Sequence, residues 1–304
     1  MIVDSSLQER YIQPLRLPIV VAPMFLVSGP KLVIASCRAG IVGSFPTLNA
    51  RTPEALAQWL ETISAGISPG QPYAANLILH PSNARKDIDL NLIEKHQVPI
   101  VITSVGSPAS VIDRVHRYGG FVLSDVASVK HARKAVEVGA DGLILLTAGA
   151  GGNTGWLNPF AFIGAVREFY DGPIAVAGGI SRGTDLRALQ VLGADLGYMG
   201  TAFIASEESL APLPHKRSVV EASADDIVLT DAVSGLPASF IRSRLQEAGI
   251  MDSNGQVISN LEPEIFSYKD VWSAGQGVGG VQSIASVESI VCKLEQDYRA
   301  AAQG

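Results

Sequence analysis

The 304-residue sequence is poor in cysteine and in charge, and each shortage excludes a class of protein. Its two cysteines, Cys37 and Cys292, lie far apart, with no other Cys or His at metal-binding spacing. We therefore expect reduced thiols rather than a disulfide or a metal site. Charged residues make up 17% of the chain, the net charge is -6, and the basic residues are scattered. Without a basic face, nucleic acid is not an expected partner.

The chain also lacks a long apolar run. A membrane-spanning helix needs ~18 or more consecutive apolar residues, and no run here reaches that length. The N-terminal residues carry neither the basic region nor the apolar core of a signal peptide. We therefore expect a cytoplasmic protein without a membrane partner.

What the sequence does contain is a repeated unit, in which a short apolar run is followed by a loop and then by a helical pattern. The apolar runs are continuous rather than alternating, which is typical of parallel strands covered by helices. With 47% hydrophobic residues, the chain has enough apolar side chains for a large core. The runs span residues 19–23, 40–44, 73–77, 99–103, 120–124, 142–146, 173–177 and 196–200.

Helix signals separate these runs. Thr52-Pro53 and Asn158-Pro159 each provide an N-cap side chain followed by a proline at the first helical position. Ser128 opens another helical segment, which ends before Gly139. Eight strand–helix repeats predict a (β/α)8 barrel, the TIM barrel of the α/β class. An open doubly wound sheet is the alternative.

Residues 208–270 break this rhythm. They contain Pro212 and Pro214, a helical stretch over residues 239–248 and the polar turn Asp252–Gly255. We predict a small, mainly helical lid or substrate domain there, inserted after the last strand. The barrel would then comprise residues 1–207 and 271–304, with a helical tail over residues 281–298 that packs back on it.

In a barrel of this kind, the ligand lies at the C-terminal ends of the strands. Gly178-Gly179 and Gly200-Thr201 end the seventh and eighth runs, where backbone amides commonly bind a phosphate. The plainer interpretation is that these glycines only make tight turns.

Two polar residues also lie at strand ends. Asn76 is either a satisfied core amide or a ligand contact, and Asp125 either caps a helix or contacts the ligand. Met24, after Ala22-Pro23, suits ordinary packing and equally a contact with a flat ring. His80 follows the third run and could approach the mouth, whereas three other histidines, His96, His116 and His131, belong to the outer helices.

The sixth run opens into a glycine-rich loop that contains Gly149, Gly151, Gly152 and Gly155. Without side chains, the backbone amides of such a loop can approach a ligand closely. The loop could be taken for a dinucleotide-binding fingerprint, but its glycine spacing is one position too long and it follows the sixth strand rather than the first. A neutral amide, Asn153, lies in its middle.

A second glycine-rich segment spans residues 273–280, directly after Trp272. Its polar side chains, Ser273 and Gln276, and its glycine content favour a loop that folds over a bound cofactor. A flexible linker is the alternative.

Together these segments resemble the nitronate monooxygenase family, formerly called 2-nitropropane dioxygenases, over essentially the whole chain. The family implies an FMN-dependent barrel with a helical second domain. The motifs that carry the resemblance are Ala22-Pro23-Met24, Asn76, Ser124-Asp125-Val126, Ala148–Gly152, Asp171–Ile174, Gly178-Gly179, Gly193–Asp195, Tyr198–Thr201 and Trp272–Gly279.

The resemblance also implies roles for single residues. The FMN phosphate would lie at Gly178, Gly179, Gly200 and Thr201. The rest of the cofactor would be contacted by Ala22, Pro23, Met24, Asn76, Asp125, Ala150, Gly151 and Gly152, with Ser273 and Gln276 from the second glycine-rich segment.

One position departs from the family pattern. The family has a histidine after the paired glycines, thought to act as catalytic base or to hold the nitro group, and this chain has Asn153. Asparagine cannot accept a proton near neutral pH, although its amide still donates a hydrogen bond. Removal of the α-proton of a neutral nitroalkane is therefore not expected. Oxidation of an already ionised nitronate needs no base.

The leading hypothesis is therefore oxidation of alkyl nitronates by O2 to a carbonyl compound and nitrite, with Asn153 as the residue that faces the substrate. The alternatives are an NAD(P)H-dependent quinone or enoyl-thioester reductase, a pathway-specific flavoenzyme, and a flavin binder without turnover. A colourless sugar-phosphate isomerase or aldolase is disfavoured because the mouth offers no lysine or paired carboxylates. A homodimer is one open oligomeric state.

Overall fold

Eight parallel strands surround a common axis in the computed structural model, which describes residues 6–233, 235–258 and 271–303. Each strand is short and almost wholly buried, as continuous apolar runs require. The strands are β1 Ile19–Val21, β2 Gly43–Pro46, β3 Tyr73–Ile78, β4 Ile100–Ser104, β5 Phe121–Val126, β6 Gly142–Leu146, β8 Ile174–Ala177 and β9 Leu196–Met199, while β7, Gly152–Asn153, belongs to a second sheet.

The sheet order is β1-β9-β8-β6-β5-β4-β3-β2, so closure depends on contacts between β1 and β2. A parallel bridge joins Val20 to Val42, just before β2. The amide of Val21 donates to the Val42 carbonyl at 2.8 Å, and the Ser44 hydroxyl donates to the Val21 carbonyl. The predicted TIM barrel is therefore confirmed, although β2 begins three residues after the start of the predicted run because residue 40 lies in a turn.

Helices cover the barrel between successive strands. Thr52, Ser128 and Asn158 cap their helices with side-chain oxygens, as the sequence predicts. The helices are α1 Pro30–Arg38, α2 Pro53–Gly66, α3 Lys86–Lys95, α4 Ala109–His116, α5 Val129–Glu137, α6 Pro159–Arg167, α7 Gly183–Val191, α8 Thr201–Ile204, α9 Leu213–Glu221, α10 Arg242–Glu247 and α11 Val287–Ala300. No helix among the described residues combines the length and apolar character needed to cross a membrane.

The interior of the barrel is apolar in its lower layer and polar in the layer above it, at the C-terminal ends of the strands. Alternate residues of each strand face inward, and Val20, Val42, Ile102 and Ile144 belong to one buried cluster there. Above this layer, towards the C-terminal ends, Asn76 and Asp125 replace apolar side chains on β3 and β5. The polar layer therefore lies where the ligand of a barrel is expected.

The segment after β9 contains strands that the sequence did not predict. β10 Ile227–Thr230 pairs antiparallel with β11 Ala238–Ile241, and β7 from the glycine-rich loop pairs with the other edge of β11. Phe240 and Leu245 form a small core of their own with neighbouring apolar residues. The predicted mainly helical segment thus contributes two strands to a three-stranded sheet, whose third strand, β7, lies about 85 positions earlier in the chain. The predicted boundaries at 207/208 and 270/271 stay a prediction, and residues 259–270 lie outside the described residues.

The C-terminal helix packs back on the barrel, as predicted. α11 begins at Val287, after the N-cap Ser286, and lies against α7 and α1. Arg16 forms ion pairs of 2.8 Å with both Glu288 and Glu295, which connect this helix to the chain before β1. The last segment therefore closes the helical layer.

Candidate active site

A cavity of about 1530 Å³ opens at the C-terminal ends of the barrel strands. This volume exceeds the ~300–1,000 Å³ that usually holds one drug-sized ligand, so a cofactor and a substrate can share it. All predicted site residues except Gln276 line this cavity. They are Ala22, Pro23, Met24, Asn76, Asp125, Ala150, Gly151, Gly152, Asn153, Gly178, Gly179, Gly200, Thr201 and Ser273.

Gln276 differs from the prediction. Its side chain is exposed and lies over Gly149 instead of in the cavity wall. Its backbone is what contributes to the site, because the Gln276 amide donates to the Gly149 carbonyl at 2.9 Å. The sequence pattern could not show whether a polar loop side chain faces the ligand or the solvent.

The two glycine-rich segments pack backbone against backbone. A Cβ added at Gly151 would lie 2.7 Å from the amide nitrogen of Gly275, and one added at Gly275 would lie 2.6 Å from the Gly149 carbonyl oxygen. Real Cβ atoms do not approach other atoms so closely, so these positions require glycine. The amide of Gly275 also donates to the Thr201 hydroxyl at 2.9 Å, which ties both segments to the end of β9.

The predicted phosphate-binding residues lie together where β8 and β9 end. Gly178 and Gly179 both have positive φ, 132° and 71°, and a Cβ at Gly179 would meet no atom within 4 Å. Gly179 therefore faces open space, whereas a Cβ at Gly178 would clash with Thr147 Oγ1. Gly200 and Thr201 follow the neighbouring strand β9, and Gly277 approaches Gly179 from the second glycine-rich segment.

The loop after β1 is held in place by a residue that the sequence analysis did not single out. Asn49, which is buried, donates from its side-chain amide to the Met24 and Ser28 carbonyls and accepts from the Leu26 amide. Leu26 has a φ of 63°, an unfavourable value for a branched side chain. Asn49 therefore offsets backbone strain and positions Met24 at the cavity.

The polar floor of the cavity consists of Asn76, Ser104, Asp125 and Tyr198. A chain of hydrogen bonds joins the first three. The Asn76 amide donates to the Ser104 hydroxyl at 2.7 Å, and this hydroxyl donates to Asp125 Oδ2 at 2.5 Å. Tyr198 reaches into the barrel from β9, three strand positions from β5. All four line the cavity.

Two atoms of this floor have no hydrogen-bond partner. They are Asp125 Oδ1 and the Tyr198 hydroxyl, and both are shielded from solvent, although Asp125 as a residue is partly exposed. Burial raises the pKa of Asp125 to about 7, while the hydrogen bond from Ser104 acts in the opposite direction. Burial also raises the pKa of Tyr198 well above its usual value, and the charge of Asp125 adds to this effect.

The wall opposite the polar floor holds Asn153. β7 pairs with β11 through Asn153–Ala238 and Gly152–Ser239, so the glycine-rich loop becomes an edge strand of the small sheet. The Asn153 side chain is exposed at the cavity rim. The backbone pairing therefore fixes where this amide lies.

A buried histidine lies beside this sheet. His215 of α9 is 4% exposed, stacks on Trp272 with ring centroids 5.0 Å apart, and donates from Nε2 to the Ser273 carbonyl at 3.3 Å. Burial lowers the pKa of His215 to about 4, and the nearby charge of Arg244 acts in the same direction. His215 is therefore neutral near pH 7. Ser273 in turn bridges to Phe240, next to the position where β7 pairs.

Comparison with known proteins agrees with this geometry. The family model for nitronate monooxygenase matches residues 82–297, which is most of the chain. This chain belongs to the nitronate monooxygenase family. Enzymes of this family are in general flavin-dependent.

Solved structures support the same family and the same barrel. Nitroalkane oxidase from Streptomyces ansochromogenes is 26% identical, with a TM-score of 0.83, and the match covers 98% of this chain and 99% of that one. FabK from Thermotoga maritima is 25% identical, also with a TM-score of 0.83, and the match covers 98% and 96% of the two chains.

Curated relatives carry two kinds of name. A probable nitronate monooxygenase from Staphylococcus aureus is 30% identical over 52% of this chain and 48% of its own length. The (3aS,4S,5R,7aS)-5-hydroxy-7a-methyl-1-oxo-octahydro-1H-indene-4-carboxyl-CoA dehydrogenase of Mycobacterium tuberculosis is 29% identical over 76% of this chain. The match spans 64% of that relative's length.

The cavity of this nitronate monooxygenase family member fits a flavin. The unpartnered Asp125 and Tyr198 atoms suit a ligand with polar groups, because buried polar groups are nearly always hydrogen-bonded. The open backbone at Gly179 suits a phosphate, and apolar wall residues such as Met24 suit a flat ring. The donor set and the shape are therefore those that a flavin nucleotide needs.

The sequence analysis and the structure differ on several residues around the cavity. His80, which could approach the mouth according to the sequence, is exposed and hydrogen-bonds Ser82, and it does not line the cavity. His215 lines the cavity but carried no local signal, because its place depends on packing against the distant Trp272. Ser104 could have been found, since it ends β4 beside β3, which carries the predicted Asn76.

The contact between the glycine-rich segments predicts the effect of one added methyl group. Gly151→Ala should separate the two segments, because its Cβ would lie 2.7 Å from the Gly275 nitrogen. We expect lower thermal stability and weaker flavin binding, measured by calorimetry and by fluorescence titration. Gly164→Ala is the matched control, because its Cβ meets no atom within 4 Å and alanine favours the helix. Equal thermal stability and equal flavin binding in the two variants would contradict the close contact between the two glycine-rich segments.

The buried His215 predicts a pH-dependent loss of stability. Its folded pKa, about 4, lies below the usual 6.5, so the unfolded chain binds a proton first as pH falls. The free energy of unfolding should therefore decrease between pH 6.5 and pH 4, by up to about 3 kcal/mol from this residue. Urea unfolding at pH 6.5 and at pH 4 should show a smaller decrease in the free energy of unfolding for His215→Gln than for the wild type. His131→Gln, at an exposed position, should behave as the wild type.

Proposed function

We propose that this protein is an FMN-dependent oxidoreductase that oxidises alkyl nitronates with O2 to a carbonyl compound and nitrite. The observation that carries the proposal is the neutral amide of Asn153 at the rim of a cavity suited to a flavin. A nitronate is already ionised at its reacting carbon, so its oxidation needs an electron acceptor but no base.

FMN is the flavin form that the glycine-rich ends of β8 and β9 favour. Backbone amides at Gly178, Gly179 and Gly200 and the Thr201 hydroxyl would hold its phosphate. Ala22, Pro23, Met24, Asn76, Asp125 and the Ala150–Gly152 loop would contact the rest of the cofactor, with Ser273 beside it. When bound, the flavin supplies the two-electron acceptor that later reacts with O2.

Asn153 would orient the substrate. Its side-chain amide donates hydrogen bonds and carries no charge, which suits the negative oxygens of a nitronate without removing a proton. Gly152 and Leu229 of the small sheet that includes β7 line the cavity. The substrate would lie between the Asn153 amide and the polar floor.

The relative rates on nitronates and nitroalkanes test this proposal. The wild type should oxidise a pre-ionised nitronate far faster than the corresponding neutral nitroalkane, measured as kcat/KM from O2 consumption. Asn153→His supplies a base at this position and should raise kcat/KM for the nitroalkane by about 10²-fold, the lower range of general base catalysis.

Asn153→Ala is the matched control for the hydrogen bond. It should lower kcat/KM for the nitronate by roughly 10-fold, since one hydrogen bond to a charged group is lost. Equal wild-type rates on the ionised and neutral substrates would contradict the proposed role of Asn153.

A second candidate is an NAD(P)H-dependent reductase of quinones or enoyl thioesters. The observation in its favour is the apolar rim of the cavity, where Trp156, Leu229 and Leu236 are 79%, 55% and 46% exposed. Exposed apolar groups at a cavity mouth favour a bulky or acyl-bearing substrate. The carboxyl-CoA dehydrogenases among the relatives carry a thioester in their names.

Anaerobic reduction of the flavin separates the two candidates. A nitronate oxidase should be reduced by nitronate and only slowly by NADH or NADPH, whereas a reductase should bleach rapidly with one of the nicotinamides. For the reductase, Trp156→Ala should raise KM for an enoyl thioester while leaving nicotinamide oxidation unchanged. Rapid bleaching by NADPH with no nitronate reaction would replace the first candidate with the second. In either case we propose that the protein is a homodimer located in the cytoplasm.

A further inference from the structure

The polar floor contains hydrogen-bonding capacity that no described residue uses. Asp125 Oδ1 and the Tyr198 hydroxyl are shielded from solvent, lack partners and line the same cavity. An unpartnered buried polar atom is costly, so native proteins seldom retain one without a reason. Two such atoms on residues that line one cavity point to a bound ligand as the source of their partners.

The direction of the hydrogen bonds determines what Asp125 offers to this ligand. The Asn76 amide nitrogen can only donate, so the Ser104 hydroxyl accepts from it and directs its own proton to Asp125 Oδ2. Because Oδ2 is already an acceptor, a proton on this carboxyl lies on Oδ1. An uncharged Asp125 is therefore a hydrogen-bond donor at its unpartnered oxygen.

The surroundings favour the uncharged form. Ser104 from β4, Asn76 from β3 and Tyr198 from β9 face Asp125, and all three are neutral near pH 7. No cationic side chain among the described residues offsets the burial that raises the pKa of Asp125 to about 7. Tyr198 keeps its proton because burial raises its pKa as well. Below pH 7 the floor thus presents two uncharged donors.

We propose that the Asp125 carboxyl and the Tyr198 hydroxyl donate hydrogen bonds to the acceptor edge of the flavin ring and thereby set its reduction potential. This inference rests on the proposed FMN but not on the proposed substrate. The pyrimidine edge of a flavin carries carbonyl and ring-nitrogen acceptors, and hydrogen bonds and charge near them tune the potential. Donors favour the reduced ring, whereas a carboxylate at the same place opposes it.

Protonation of Asp125 is consequently coupled to reduction. Above pH 7, where Asp125 is ionised in the oxidised protein, arrival of two electrons from an external reductant is accompanied by transfer of one proton from solvent to Oδ1. The two electrons add two negative charges: a proton that the ring itself would take up offsets one of them, and the O–H bond that forms at Oδ1 offsets the other. Asp125→Asn keeps a donor in this place but cannot take up the proton.

A redox titration with dithionite as the reductant tests the coupling. The two-electron potential of the FMN-loaded protein is measured by absorbance from pH 6 to pH 9. If reduction takes up one additional proton, the reduction equilibrium changes tenfold per pH unit, which corresponds to about 30 mV for a two-electron couple. Above pH 7 the wild-type potential should therefore fall more steeply than that of Asp125→Asn, by up to this amount. Tyr198→Phe should lower the potential at every pH without changing the slope.

Thr103→Val is the matched control, because Thr103 is a buried β4 neighbour whose hydroxyl donates to the Leu123 carbonyl outside the cavity. Its potential should equal that of the wild type, and thermal unfolding should show that all variants are folded. Equal slopes for the wild type and Asp125→Asn would overturn the coupling, and an unchanged potential in Tyr198→Phe would overturn the role of Tyr198.

The outcomes also separate this inference from the proposed function. Failure of the wild type to bind FMN would overturn both. A protein that binds FMN and shows the expected slopes, yet does not oxidise nitronates, would overturn only the proposed substrate. A nitronate oxidase with equal slopes would overturn only the role of Asp125.

Discussion

The close contact between two glycine-rich backbones organises the mouth of this barrel. Gly151 and Gly275 approach so closely that no Cβ fits between them, and the Gly275 amide is anchored on Thr201. This contact holds the loop after β6 against the segment after Trp272. With the loop in this position, β7 can pair with β11 and carry Asn153 to the cavity rim. Even a methyl group here would change the distance between the cavity walls.

The cavity has two chemically different sides. Its floor is a directed series of hydrogen bonds that ends at Asp125, with Tyr198 nearby, and its rim is apolar around Trp156. A barrel produces this contrast because inward-facing strand residues are shielded below, whereas the loops at the mouth meet solvent. The floor is suited to a cofactor that is held permanently, and the rim to a substrate that enters and leaves.

The local signals in the sequence were sufficient for the barrel and for most of the cavity wall. Continuous apolar runs predicted the strands, and caps such as Thr52 predicted where helices begin. Residues at strand ends, such as Asn76, line the cavity because parallel strands bring their C-terminal ends together. Gln276 shows the limit of such reasoning, since the direction of a loop side chain depends on what packs beside it.

The sequence by itself therefore determined the repeat, the barrel and the glycine positions, because each depends on neighbouring residues and on strand ends that converge. Only the tertiary structure decided that β7 joins a small sheet, that His215 stacks on Trp272 and that Asp125 and Tyr198 share one floor. These relations join residues that are distant along the chain. Their physical basis is pairing and packing across space, which no local pattern specifies.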